Sequence, residues 1–154
     1  MQLSMRTDYA LRVIFTLVDN HGGSSITIAQ LAKRNEIPKP FLEQIMLDLK
    51  RGGWVNSIRG KQGGYYLSRS PEEITLGEIV RHFDGYLAPL ACVSVTGYRQ
   101  CTQESVCRFR HLMLRSRNLV AKLMDETTLA SAAKAAVVTS YEVSNLQGLG
   151  GEGI

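Results

Sequence analysis

The sequence is poor in residues that stiffen, staple or insert a chain. Its 154 residues hold 4 prolines, 1 tryptophan and 3 cysteines, and aromatics make up only 7%. No 18 apolar residues run together, which excludes a bilayer-spanning helix. The opening MQLSMRTDYALRVIFTLV has the look of a secretory leader. Asp8 and Arg12 interrupt its apolar run, however, and no small-residue cleavage site follows, so a cytoplasmic protein is expected. Three cysteines cannot close a disulfide framework. In a reducing compartment such thiols serve metal binding or redox chemistry. Also missing are a serine–histidine–acid arrangement, a phosphate-binding loop and paired catalytic carboxylates, so no enzyme is expected.

What is present is ordinary for one globular domain: 44% hydrophobic and 21% charged residues. A chain of this length buries roughly 68–70% of its unfolded surface. The net charge of +4 favours a polyanionic partner through phosphate contacts, although many proteins without one are as basic.

Apolar residues at Tyr9, Ala10, Val13, Ile14, Leu17 and Val18 recur at helical spacing, with Ser4 or Thr7 able to cap the start and His21-Gly22-Gly23 ending it. Thr27 and Gln30 form a capping-box pattern ahead of a short helix over 27–35. A second helix over 39–51 opens with Pro40 in its first turn and stops at Gly52-Gly53. Short β-prone runs then flank RGKQGG, the mark of a hairpin, and TLGEIVRHFDG gives another short helix. CVSVTGYRQCTQESVC reads as a polar loop, and a long Arg- and Lys-rich helix is expected from Cys107 to about residue 126.

Helix, tight connection at 36–38, second helix, glycine stop and hairpin define a mainly α winged helix-turn-helix. In such a fold the second helix enters the major groove by its N-terminal residues, here Lys39, Pro40, Phe41, Glu43 and Gln44. Gln can bridge adenine N6 and N7, and Glu can accept from cytosine N4. The hairpin tip carries Arg59 and Lys61 among glycines, suited to phosphates and a narrow minor groove. Taken alone, a basic glycine-rich tip is also what a solvated turn looks like. Winged helices can be protein-interaction modules as well.

MQLSMRTDYALR, PFLEQIMLDLKRGGWVNSIRGKQGGYYLSR and ITLGEIVRHFDG resemble the bacterial winged-helix regulators typified by IscR, NsrR and RirA (the Rrf-two family), over residues 1 to about 135. The resemblance implies a homodimeric transcription regulator, commonly a repressor, that binds a near-palindromic double-stranded operator and pairs through its long helix. It places Glu43, Gln44 and Arg59 at DNA. The chain departs from the pattern at Lys61-Gln62, where a Pro-Gly pair is frequent. The implied organisation is a DNA-binding part over 1–84, a cysteine-bearing loop over 85–106, a dimerisation helix and short following helix over 107–135, and a flexible glycine-rich tail over 136–154.

Many members hold an iron–sulfur cluster (2Fe–2S or 4Fe–4S) on three loop cysteines, and others lack them. The resemblance thus assigns Cys92, Cys101 and Cys107 as ligands; soft anionic sulfur suits iron. Their Cys-x8-Cys-x5-Cys spacing is looser than a zinc knuckle and looks like the RirA branch. The opposing reading is three ordinary buried cysteines. For a fourth ligand, Asp8 in Thr7-Asp8 matches NsrR-like members, where an aspartate reaches across from the second subunit. As a first-turn acid, Asp8 also suits the helix dipole on its own. His111 is the other candidate, four residues after Cys107 and on its face if the helix has begun there. IscR-like members have their histidine one position earlier, where this chain has Arg110. A metal-free thiol switch is a competing mechanism, with Arg99, Arg108 and Arg110 favouring thiolate.

Overall fold

The structure is a computed structural model describing residues 3–60, 63–85, 87–138 and 143. Helix α1 (Met5–Asp19) starts where the Ser4 hydroxyl accepts the Thr7 amide at 3.2 Å, and it buries Ala10, Val13, Ile14 and Leu17. Helix α2 (Ile28–Asn35) starts at the expected capping box. The Thr27 amide donates to Gln30 Oε1 at 3.0 Å, and the Gln30 amide donates to Thr27 Oγ1 at 3.3 Å. Glu36 turns the chain with φ of 54°, and the Ile37 amide closes on the Ala32 carbonyl at 3.0 Å. Helix α3 (Lys39–Arg51) follows, with proline in its first turn and Leu42, Ile45, Met46 and Leu49 buried.

Strands β1 (Val55–Ile58) and β2 (Gly64–Leu67) pair antiparallel from Val55↔Leu67 to Ile58↔Gly64. The hairpin is fixed to the helices at its base. Ile26 and Tyr65 exchange backbone hydrogen bonds of 3.0 and 2.8 Å, and the indole of Trp54 is buried. Helix α4 (Leu76–Asp84) has its own capping box, Thr75 with Glu78. A 3-10 turn at Ala91–Val93, the long helix α5 (Arg110–Glu126) and a short α6 (Leu129–Ala133) complete the order.

One core joins α1, α2, α3, the hairpin and α4, and the chain returns to seal it. Leu129 of α6 is fully buried, its amide bonded to the Ile74 carbonyl at 2.8 Å, and the Leu76 amide bonds the Thr127 carbonyl at 3.0 Å. Fully burying one such leucine contributes about 1.5–3 kcal/mol. The C-terminal end of α5 is thereby tied to the body that carries α3.

Two expectations need correction. The long helix begins at Arg110, not Cys107. Residues 101–106 instead form turns, with Glu104 and Val106 amides on the Cys101 and Gln103 carbonyls, and Phe109 at the N-cap makes no side-chain cap. The cysteine segment is also not wholly irregular, since Cys92 sits in the 3-10 turn. Most of the tail expected to be flexible lies outside the described residues.

Candidate DNA-reading surface and thiol cavity

The inward face of α3 is committed to the core, which turns Lys39, Pro40, Phe41, Glu43 and Gln44 to the surface. Leu47 and Lys50 extend this exposed face; Leu47 escaped the sequence reading, although its spacing from Glu43 and Gln44 was the signal. Lys39 faces Glu43 at 3.8 Å, and the Phe41 ring meets Tyr9 edge-on at 6.0 Å. Arg6 of α1 pairs with Asp48 of α3, and Lys50 donates to Ser57 at 2.7 Å, so side-chain contacts link α3 to both α1 and β1. Arg59 is exposed at the end of β1, beside Gly60 with φ of 116°, a conformation that glycine adopts without strain. Lys61 lies outside the described residues.

The three cysteines are placed unequally. Cys92 from the 3-10 turn, Cys107 from the turn before α5, and His111 from its first turn line one cavity of about 420 Å³, together with Tyr98, Glu104 and Arg110. Cys101 is exposed and does not line that cavity. Asp8 stays in the first turn of α1, paired with Arg12 at 2.7 Å. Among the described residues no three His, Cys, Asp or Glu groups converge as metal ligands. The condition attached to His111 fails as stated, because the helix has not begun at Cys107; the turn nevertheless delivers both to the same cavity.

The loop is held by a polar network centred on Glu104. Its carboxylate accepts the Tyr98 hydroxyl at 3.1 Å and the Cys101 amide at 3.2 Å, and faces Arg110 Nη2 at 3.2 Å. The bond to this carboxylate pushes the Tyr98 phenol above its usual pKa. Arg110 also donates to the Cys92 carbonyl at 2.9 Å, and Arg117 to the Val93 carbonyl at 2.7 Å. Two arginines of α5 thus grip the backbone around Cys92. At the other end of α5, Asp125 takes a two-pronged bond from Arg81 of α4, at 2.5 and 2.7 Å. That contact holds the Asp125 carboxyl below its ordinary pKa.

Residues 3–135 match a family described as Rrf2, iron-dependent transcriptional regulator. The chain is 38% identical over 133 residues to the rrf2-like HTH-type transcriptional regulator of Rhodobacter capsulatus, covering 82% of this chain and 89% of that one. It is 32% identical over 130 residues to the HTH-type transcriptional regulator NsrR of Geobacillus kaustophilus, covering 84% and 88%. Among solved structures, CymR, the global cysteine regulator of B. subtilis, superposes with a TM-score of 0.76 at 29% identity, covering 89% of this chain and 99% of that one. With a winged helix presenting α3 and a match spanning helices α1 to α6, the chain belongs to the Rrf2 family of DNA-binding transcriptional regulators.

Proposed function

We propose that the chain acts as a cytoplasmic homodimeric regulator, a repressor, whose grip on a near-palindromic operator is gated by an iron–sulfur cluster on Cys92, Cys101 and Cys107. The observation that carries this reading is the shared cavity of Cys92, Cys107 and His111 at one end of α5, whose other end is fastened to the DNA-binding body. The donor set fits: sulfur and imidazole are the ligands iron clusters take, and two arginines offset their negative charge. Cys101 joins the set by turning inward from its exposed place, which means breaking its amide bond to Glu104. His111 is the fourth donor this chain brings itself. Asp8 is the alternative, supplied by the second copy once it leaves Arg12.

A bound cluster supplies bonds that respond to iron supply, oxidants or nitric oxide. The chain's part is to convert loop geometry into the placement of α5. No residue of α5 is buried, and Phe109, Leu112, Leu119 and Leu123, spaced by three, seven and four residues, are 58–69% exposed. An exposed apolar row of this kind suits pairing with a second α5. Two copies so joined present two α3 helices, whose separation decides whether both major-groove half-sites are reached at once. Lys39, Pro40, Phe41, Glu43 and Gln44 then meet bases, while Arg59 and Lys61 meet the backbone or minor groove.

The test is anaerobic purification followed by absorption spectroscopy and iron and sulfide analysis. The reading expects a coloured protein whose iron is lost in Cys92→Ser and Cys107→Ser. A second reading draws on Cys92 and Cys107 sharing a cavity: both thiols lose a proton and an electron to a peroxide, forming a disulfide while the peroxide is reduced to water. A colourless protein that stays iron-free after reconstitution selects that reading.

A further inference from the structure

Arg110 meets several partners at once and still has a donor to spare. As the first residue of α5 it uses Nη2 on the Cys92 carbonyl and the Glu104 carboxylate. Its Nε–H is buried, and no atom of the described residues accepts from it. Buried donors are almost always satisfied in native proteins, because leaving one unpaired is costly. Arg110 lines the same cavity as Cys92, Cys107, His111, Tyr98 and Glu104. The Glu104 carboxylate already takes Arg110 Nη2 and the Tyr98 hydroxyl, and of the remaining groups sulfur is the acceptor that becomes anionic when a metal binds. A neutral thiol is a weak acceptor, whereas an anionic sulfur makes a charge-assisted bond. Arginine itself cannot be a ligand, since its guanidinium stays protonated.

We propose that Arg110 is a positioning residue whose Nε–H donates to anionic sulfur in this cavity. That sulfur is either a metal-bound thiolate of Cys92 or Cys107 or an inorganic sulfide bridging iron. The inference rests on reading the cavity as a thiolate metal site. It assigns two nitrogens of one guanidinium separate tasks: Nη2 fixes the backbone that carries Cys92, and Nε binds the sulfur. Glu104 keeps the guanidinium in that orientation.

The two sources of sulfur are told apart in two experiments. Equimolar Zn²⁺, a diamagnetic ion that gathers thiolates, is added to reduced, iron-free wild-type protein while the arginine Nε–H signals are followed by NMR. Arg110→Lys, which keeps the positive charge, identifies the resonance. A thiolate acceptor moves that signal downfield and slows its exchange with water by about tenfold, the effect of a bond of about 1.4 kcal/mol. A sulfide acceptor leaves the zinc spectrum unmoved, but the cluster in reconstituted Arg110→Lys then has a lower reduction potential than in wild type, because hydrogen bonds to sulfur favour the reduced state. A bound zinc with an unmoved signal, together with an unchanged potential, overturns the assignment. So does a cavity that takes neither zinc nor iron and sulfide. A zinc-dependent shift in a protein that never takes up iron and sulfide removes the cluster from the proposed function and leaves the role of Arg110 standing.

Discussion

The proposed DNA-reading surface gives Gln44 and Arg59 different purposes. Gln44 projects from the exposed face of α3, where a planar amide matches adenine, while Arg59 lies at the wing tip, where a cation meets the backbone or a narrow minor groove. Gln44→Ala is therefore expected to cost about 1–3 kcal/mol on the operator and to relax specificity at one base position. Arg59→Ala should weaken binding across sequences and flatten its salt dependence. Anisotropy titrations against an operator and single-base variants at several salt concentrations check both. At this scale the sequence was informative about type and less so about company. Cys92, Cys107 and His111 stood out by residue type alone. The Glu104–Arg110–Cys92 network did not, because its partners lie up to 18 residues apart and no local pattern announces them. Leu47 went unnoticed because an apolar residue at helical spacing reads as core until the burial of its neighbours is known.

Among the elements, those with short-range start signals were legible. Thr27 with Gln30 marked α2, and Pro40 and Gly52 bracketed α3, since caps and breakers act within a few residues. The start of α5 was misplaced because Val106, Phe109, Leu112 and Met113 continue the spacing of threes and fours while no capping side chain marks the true beginning. The far end of α5 carries a contact between distant parts of the sequence, Arg81 with Asp125, and it leaves no space at Gly77. A Cβ there would lie 2.0 Å from Asp125 Oδ1. Gly77→Ala should displace Asp125 from Arg81, so that adding Asp125→Asn no longer changes Tm at pH 7, a non-additivity that differential scanning calorimetry reads directly. The pH dependence has a definite sign. The folded carboxyl of Asp125 titrates below the unfolded value of 3.8, so the pair stabilises above that pH and its contribution disappears as pH falls from there through the lowered folded value. Both partners are partly exposed, so solvent screening keeps that contribution at or below about 1 kcal/mol. The Tm gap between wild type and Asp125→Asn is expected at pH 7 and should close in acid.

For the whole molecule the proposed gating needs a route from thiols to DNA. The loop around Cys92 is gripped by Arg110 and Arg117 at one end of α5, and Arg81, Thr75 and Ile74 hold the other end against the body that presents α3. Under the proposed gating, a change in the loop bears on one continuous helix. The exposed row of Leu112, Leu119 and Leu123 suits that helix to the proposed pairing with a second copy. Replacing Leu119 and Leu123 together by glutamate is expected to give monomers in sedimentation experiments and to abolish tight operator binding, while far-UV circular dichroism stays close to wild type.

Cluster gating is checked by anaerobic operator titrations on one preparation, first with its iron and sulfide in place and then after their removal by chelation, with dimer content followed throughout. Operator affinity is expected to differ at least about tenfold between the two states, the effect of about 1.4 kcal/mol, and the difference to be lost in Cys107→Ser. Equal affinity in both states, from a dimer that demonstrably gained and lost its iron and sulfide, would contradict it.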